Sequence, residues 1–255
     1  MRYNTQHFLE LLHGMTVKEL RARYKHTFFG FLWIVVNPIL QMLVIGFIFR
    51  LFIKEPIKNY FIYLFAGLLV WNFFSISLTK VTASIVNERG LIKKAKFPRS
   101  VIPLSIILSN YIHLLLALLL FLAPVIYVGT LSSLWIFEVL LSLTLLITFT
   151  TGMGLFTASL NVRFRDVNFF VQAALILGFY VTPIVYSISI VPRNLIWIWR
   201  INPLTSIVQL LQSALAGAPT PGPAMLLINS MLIFLIMILG IYVFEKEAQN
   251  FDDWV

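Results

Sequence analysis

Six apolar runs, each close to the length of a membrane crossing, follow one another along this chain at about 31–53, 61–80, 101–127, 134–160, 167–186 and 224–244. A bilayer core is crossed by about 20 apolar residues in a helix, and backbone inside it must satisfy its own hydrogen bonds, which restricts spanning structures to helices and closed barrels. Runs this long predict helices, not the shorter alternating segments of barrel strands. Of 255 residues, 60% are hydrophobic and only 11% charged, against roughly 25% charged in a soluble domain. The fold class expected is an all-α integral membrane protein with six transmembrane helices, and the membrane region is the functional unit.

The net charge of +9 would suit a nucleic-acid binder, but the basic residues sit in short clusters between apolar runs, so no nucleic acid is expected. The clusters report topology, because Lys and Arg are retained on the cytoplasmic side. One side holds Arg2, Lys18, Arg21, Arg23 and Lys25 before the first run, Arg89, Lys93, Lys94, Lys96 and Arg99 after the second, Arg163 and Arg165 after the fourth, and Lys246 at the end. The other side holds Arg50, Lys54, Lys58, Arg193 and Arg200. This asymmetry predicts both termini in the cytoplasm. No short apolar stretch with a small-residue cleavage site stands ahead of the first run, so no cleaved signal peptide is expected. There is no cysteine, which excludes disulfides and thiolate metal sites.

Residues 1–27 form a separate lead. Phe8, Leu11, Leu12, Met15 and Leu20 fall near one helical face, with Glu10, His13, Lys18, Arg21 and Lys25 elsewhere. The pattern predicts an amphipathic helix lying along the cytoplasmic headgroups; a plain basic lead that fixes orientation is the alternative. The remainder, 28–255, reads as one transmembrane domain. Its segment 187–223 is too apolar for a solvated loop, carrying Ile196, Trp197, Ile198, Trp199, Leu204, Ile207 and Leu211, yet Pro192, Pro203 and Pro219 divide it into pieces too short to span. Short re-entrant helices at about 193–216 are expected, because irregular backbone at membrane depth must be buried in protein or line a cavity.

Two loops carry information beyond topology. Residues 87–97 read Asn-Glu-Arg-Gly-Leu-Ile-Lys-Lys-Ala-Lys-Phe before Pro98 and Arg99. Leu91, Ile92 and Ala95, extended by Phe97, make a small apolar stripe on a basic short helix, which predicts a docking knob for a soluble partner; a basic anchor with aliphatics in the interface is the alternative. Asn161-Val162-Arg163-Phe164-Arg165-Asp166-Val167 joins the fourth and fifth runs. Its adjacent Arg165 and Asp166 predict a tight turn pinned by ion pairs at a membrane boundary.

Taken in order, the amphipathic lead, two spans, Leu91 to Arg99 with Pro103 following, Asn161 to Val167, Thr182-Pro183-Ile184-Val185-Tyr186 and Asn202-Pro203 resemble the type-2 ABC exporter permeases. Within them the chain is similar to the O-antigen and polysaccharide exporters, the Wzm-like transmembrane subunits that act with a separate Wzt-like ATPase. The resemblance implies a homodimer with a central channel for a lipid-linked polysaccharide in the bacterial inner membrane, assembled with two copies of that ATPase. It further implies a coupling helix at 87–97, involving Glu88, Arg89, Leu91, Ile92, Lys93, Lys94 and Phe97, a cytoplasmic gate at Arg163, Arg165 and Asp166, and an external gate at Trp197, Trp199, Asn202 and Pro203.

The chain lacks a phosphate loop of its own. Gly217 and Gly222 have the glycine spacing of one, but Pro223 and Ala224 follow where Lys and Ser or Thr are required. No cofactor is therefore expected on this chain, and ATP and Mg belong to the partner, which makes this chain a permease subunit and not an enzyme. Acidic relays for ion coupling are missing from the spans except for Glu138, near one end of the fourth. Aromatics are 15% of the residues; Trp33, Phe65, Trp71, Phe73, Phe179 and Tyr180 are candidates to stack on sugar rings in a channel, with core packing as the alternative. A drug or small-lipid permease shares this architecture. A membrane transferase is the remaining alternative, and it would need an acidic pair or metal ligands near the membrane; Asp252 and Asp253 have no His beside them, and His113 lies alone in its span.

Overall fold

A computed structural model describes residues 5–24, 32–52, 57–94 and 97–251. Among them there is no strand. Ten α-helices follow in order: α1 (Thr5–Tyr24), α2 (Trp33–Phe52), α3 (Tyr60–Asn87), α4 (Arg89–Lys94), α5 (Val101–Val128), α6 (Trp135–Arg163), α7 (Asp166–Val181), α8 (Ile196–Ile201), α9 (Pro203–Ala216) and α10 (Pro223–Ala248), with a 3-10 turn at Ile188–Ile190 between α7 and α8. Four stretches are long and apolar enough to cross a membrane: Tyr60–Lys94, Val101–Val128, Trp135–Arg163 and Pro223–Ala248. Val36–Phe49 and Asp166–Val181 are shorter apolar helices.

The centre of the bundle is the pair α3 and α6. Helix α3 touches α2, α5, α6, α7 and α9, while α6 touches α5, α7, α9 and α10. Their contact faces carry the largest buried side chains, among them Phe65, Leu68, Ile85 and Leu146. At the periphery, α10 buries only Asn229, Ile233, Gly240 and Phe244, and α7 only Val171. Apolar residues facing outward from a bundle are stable only where lipid or another protein covers them.

Gly152 and Gly240 fix how α6 and α10 meet. A Cβ on Gly240 would lie 2.1 Å from the Gly152 carbonyl oxygen, and one on Gly152 would lie 2.6 Å from Met237 Cα. The two backbones therefore touch, as small residues allow between apolar helices.

Several boundaries depart from the sequence reading. The second run continues as helix to Asn87, and α4 resumes after the single residue Glu88. The fifth run was expected to reach residue 186, but α7 stops at Val181. Pro183 lacks the N–H that would continue the ladder and disfavours helical geometry at Thr182, which is extended at ψ 132. At 1.5 Å per residue α7 is about 24 Å long, short of a bilayer core of about 30 Å. Pro38 and Pro124, in contrast, lie inside continuous helices.

Candidate functional site

The turn from α3 to α4 keeps helical hydrogen bonding. Glu88 N–H donates to Ser84 O at 3.1 Å, and its carbonyl accepts from Leu91 and Ile92 at 2.9 and 3.1 Å. Lys18 Nζ on α1 lies 2.8 Å from Glu88 Oε1, while Leu11 and Met15 of α1 pack on the core and Thr16 is buried. The expected apolar knob is not exposed. Ile92 and Phe97 are 3% and 8% accessible and belong to the chain's own core, with Leu91 half-buried beside them. A stripe lying next to a large apolar core gains more by being buried there than by facing water. The outward face of α4 is Arg89, Gly90, Lys93 and Lys94; Phe97 lies beyond the helix, and residues 95–96 are outside the described residues.

The α6 to α7 turn is held by backbone bonds, Phe164 N to Leu160 O at 2.8 Å and Val167 N to Phe164 O at 3.1 Å. Arg163, Arg165 and Asp166 are exposed, and Arg163 lies over the Phe164 ring at 5.2 Å. The expected pinning ion pair between Arg165 or Asp166 and another described residue is absent. Asp166 opens α7, where the helix dipole favours a carboxylate without a partner.

At the opposite end, the segment after α7 is clasped by polar groups from three helices. Gln212 Nε2 on α9 lies 3.2 Å from Pro183 O, 3.4 Å from Ile184 O and 3.5 Å from Tyr63 O. Tyr60 and Tyr63 hydroxyls donate to Val185 O and Tyr186 O at 3.1 and 2.9 Å. Asn202 does two jobs: its Nδ2 donates to Thr182 Oγ1 at 3.0 Å, and its Oδ1 accepts from Leu204 N–H at 3.1 Å, capping α9 with Pro203 as the first helical residue. Trp199 Nε1 donates to the Tyr186 hydroxyl at 2.7 Å. Two motifs 20 residues apart thus form one cluster. Trp197, on α8, points outward at 59% accessible. Helix α9 is wholly different: Leu204 to Val208 and Leu210 to Ala216 are all buried.

Most of the aromatics expected to line a channel pack inside this chain. Phe65 stacks on Phe121 at 3.6 Å, Phe73 meets Tyr111 at 5.8 Å and Trp71 meets Phe179 at 5.6 Å. Phe65 has no accessible surface and Trp71 has 8%, so these two are core residues of the chain. Trp33 and Tyr180 remain exposed.

Between α2, α3 and α5 lies a cavity of about 480 Å³. Trp33 and Phe73 line it together with the polar residues Asn37, Gln41, Asn72, Lys80, Asn110 and His113. Asn72 Nδ2 donates to Gln41 Oε1 at 2.8 Å, and Asn110 Nδ2 to Ser77 Oγ at 3.0 Å.

The family described as ABC-2 type transporter matches residues 10–216. The chain belongs to this family. An O-antigen export system permease protein RfbA of Klebsiella pneumoniae is 36% identical over 209 residues, 82% of this chain and 81% of its own length. A protein of the same name from Myxococcus xanthus is 30% identical over 250 residues, 95% and 94% of the two chains. The ABC-2 match begins within α1 and ends with α9, so it contains the α3 to α4 turn, the cavity and the clasp, with α10 beyond it.

In this ABC-2 transporter chain, sequence reasoning found Thr182, Pro183 and Asn202 but missed Gln212, Tyr60 and Tyr63, which hold them. Gln212 and Asn229 were legible as amides in apolar runs, a costly placement that calls for internal partners; Asn229 Nδ2 donates to Ser206 Oγ at 2.6 Å. His113, read as isolated in sequence, shares its cavity with Lys80 and three amides from two other helices.

Proposed function

We propose that this chain is the transmembrane subunit of an ATP-driven exporter that moves a lipid-linked, O-antigen-like polysaccharide across the bacterial inner membrane. The observation that carries the proposal is the 36% identity to a permease named for O-antigen export over most of both chains. Two copies form the channel, and two copies of a separate Wzt-like ATPase supply the energy with their own ATP and Mg. The nearly unburied α7 and the outward apolar residues of α2, including Val44, Phe47 and Leu51, support a second copy as a covering partner. The basic outward face of α4 supports a docking surface for an acidic region of the ATPase. In the membrane, α2, α3, α5, α6 and α10 are crossings, α7 completes the sixth together with the clasped segment 182–186 that continues it, α1 lies along the cytoplasmic interface, and α8 and α9 enter from the external side without crossing.

Deletion of this chain tests the proposal. Surface polysaccharide should disappear while the lipid-linked glycan accumulates on the cytoplasmic side, and the wild-type chain should restore export. Unchanged surface polysaccharide in the deletion would refute it. Reporter fusions at residues 58, 130, 193 and at the termini test the six-span arrangement, which requires the first three external and both termini cytoplasmic.

A further inference from the structure

Helix α8 contrasts with the buried α9 that follows it, for none of its own residues is buried. Its helical path starts before its first residue. The N–H groups of Leu195 and Ile196 both donate to Pro192 O, at 3.0 and 3.1 Å, and Ile198 N–H donates to Leu195 O at 3.0 Å. Along such a path, residues spaced by three and four share a face. Arg193, Trp197 and Arg200 have that spacing, and all three are exposed. Ile201, 51% accessible, extends the same side. Trp199 turns the other way and donates to the Tyr186 hydroxyl at 2.7 Å. One face of α8 is thus tied to the bundle, and the other presents an indole between two guanidinium groups. Among the described residues neither arginine has an ion pair.

These are the groups of a helix resting on a charged membrane surface. An indole favours the boundary of lipid and water, and a guanidinium offers a phosphate two parallel donors. Basic residues are biased toward the cytoplasmic side, so a pair of them on an external helix points to an anion there. We propose that α8 binds the phosphate headgroups of anionic phospholipids in the external leaflet through Arg193 and Arg200, with Trp197 seated between them at the headgroup boundary. The proposal rests on the external placement of α8 given above and not on the cargo exported. The bond from Trp199 and the lipid contact then act on opposite faces of one short helix, so the charge of the leaflet bears on where α8 sits.

Quenching by nitroxide lipids tests this on the full-length protein in phosphatidylcholine nanodiscs. Ile201→Cys, in a chain with no other cysteine, carries a bimane fluorophore beside the face. Doxyl-labelled phosphatidylglycerol and doxyl-labelled phosphatidylcholine are compared at equal mole fraction. Phosphatidylglycerol should quench more strongly, which reads its enrichment around α8. Arg193→Gln or Arg200→Gln should each reduce that preference by about fivefold at most, the scale of one basic residue at an anionic surface, and the two together should abolish it. Both side chains are exposed, so the double variant should keep its melting temperature. Arg200→Lys should retain most of the preference, and salt at about 1 M, where the screening length is about 3 Å, should shrink it. Bimane on Tyr127→Cys, a position 93% accessible at the end of α5, is the control and should report the two lipids alike. In spheroplasts, an impermeant thiol reagent added outside should reach unlabelled Ile201→Cys. No reaction there would remove the external placement and with it the leaflet named here. Reaction there combined with equal quenching by the two lipids, or with a preference that survives the double substitution, would overturn the lipid contact and leave the six-span arrangement standing.

Discussion

Lys18 and Glu88 lie 70 residues apart in the chain, and their side chains meet at 2.8 Å. The contact ties the leading helix to the single residue at which α3 turns into α4. With side chains 55% and 30% accessible, such a pair contributes at most about 1 kcal/mol, less at high salt. Its effect is therefore on position more than on stability. Lys18→Glu should leave membrane yield and melting temperature nearly unchanged and weaken ATPase co-purification, and adding Glu88→Lys should restore it. Failure of the double reversal to restore the ATPase would mean that the two residues act separately.

The outward face of α4 gives a second test. Lys93→Glu and Lys94→Glu lie on an exposed surface, so these variants should insert normally, lose the ATPase in pull-down and export poorly. Ile92→Asp is a different kind of change, because Ile92 is 3% accessible. It places a carboxylate in the chain's own core, a loss of several kcal/mol, and should lower the amount of folded permease. Normal yield of Ile92→Asp with loss of the ATPase would return Ile92 to the docking surface.

The glycine contact between α6 and α10 is a matter of stability alone. A side chain at Gly240 must push the Gly152 backbone away, and overpacking of this kind costs about 1 to 3 kcal/mol or more. Gly240→Leu should lower the melting temperature of the purified protein sharply, and Gly222→Ala, where nothing lies within 4 Å, should leave it unchanged. Equal melting temperatures for the two variants would show that α6 and α10 separate easily.

What could be read in advance follows from the range of the forces involved. Apolar runs and the prolines that divide them act locally, so the helices around 101–127 and 134–160 emerge as α5 and α6 with ends shifted by three residues or fewer. Pro183 and Asn202-Pro203 were legible for the same reason, as breaks in backbone pattern. The direction a side chain takes is not local. Leu91, Ile92 and Phe97 looked like an exposed stripe because nothing in residues 87–97 reveals the core beside them. Gln212 meets Pro183 across 29 residues and Tyr63 across 149, and Lys80 meets the cavity wall of α5 only after the bundle folds. The aromatics illustrate the same limit: Phe65 and Tyr180 are equally apolar in sequence context, yet one is wholly buried and the other 65% accessible.

The clasp around residues 182–186 makes the last prediction, which separates the two short helices at that end. Ser206 and Ser213 on α9 are 0% and 2% accessible, whereas Trp197 on α8 is 59% accessible. In an otherwise cysteine-free chain, Trp197→Cys should react rapidly with a membrane-impermeant thiol reagent added outside, and Ser206→Cys and Ser213→Cys should stay unlabelled. Their shielding depends on Gln212, whose amide faces the carbonyls of Pro183 and Ile184 at 3.2 and 3.4 Å. Gln212→Leu removes that donor and leaves buried carbonyls without it, at a cost of about 1 to 3 kcal/mol. The segment should then loosen locally, so that Ser206→Cys combined with Gln212→Leu becomes reactive while the far end of the bundle still binds its ATPase. Gln212→Asn keeps the amide but shortens its reach by one methylene, and should give an intermediate labelling rate. Rapid labelling of Ser206→Cys in the background that retains Gln212 would mean that α9 is not a buried element, and the clasp at this end of the bundle would have to be abandoned.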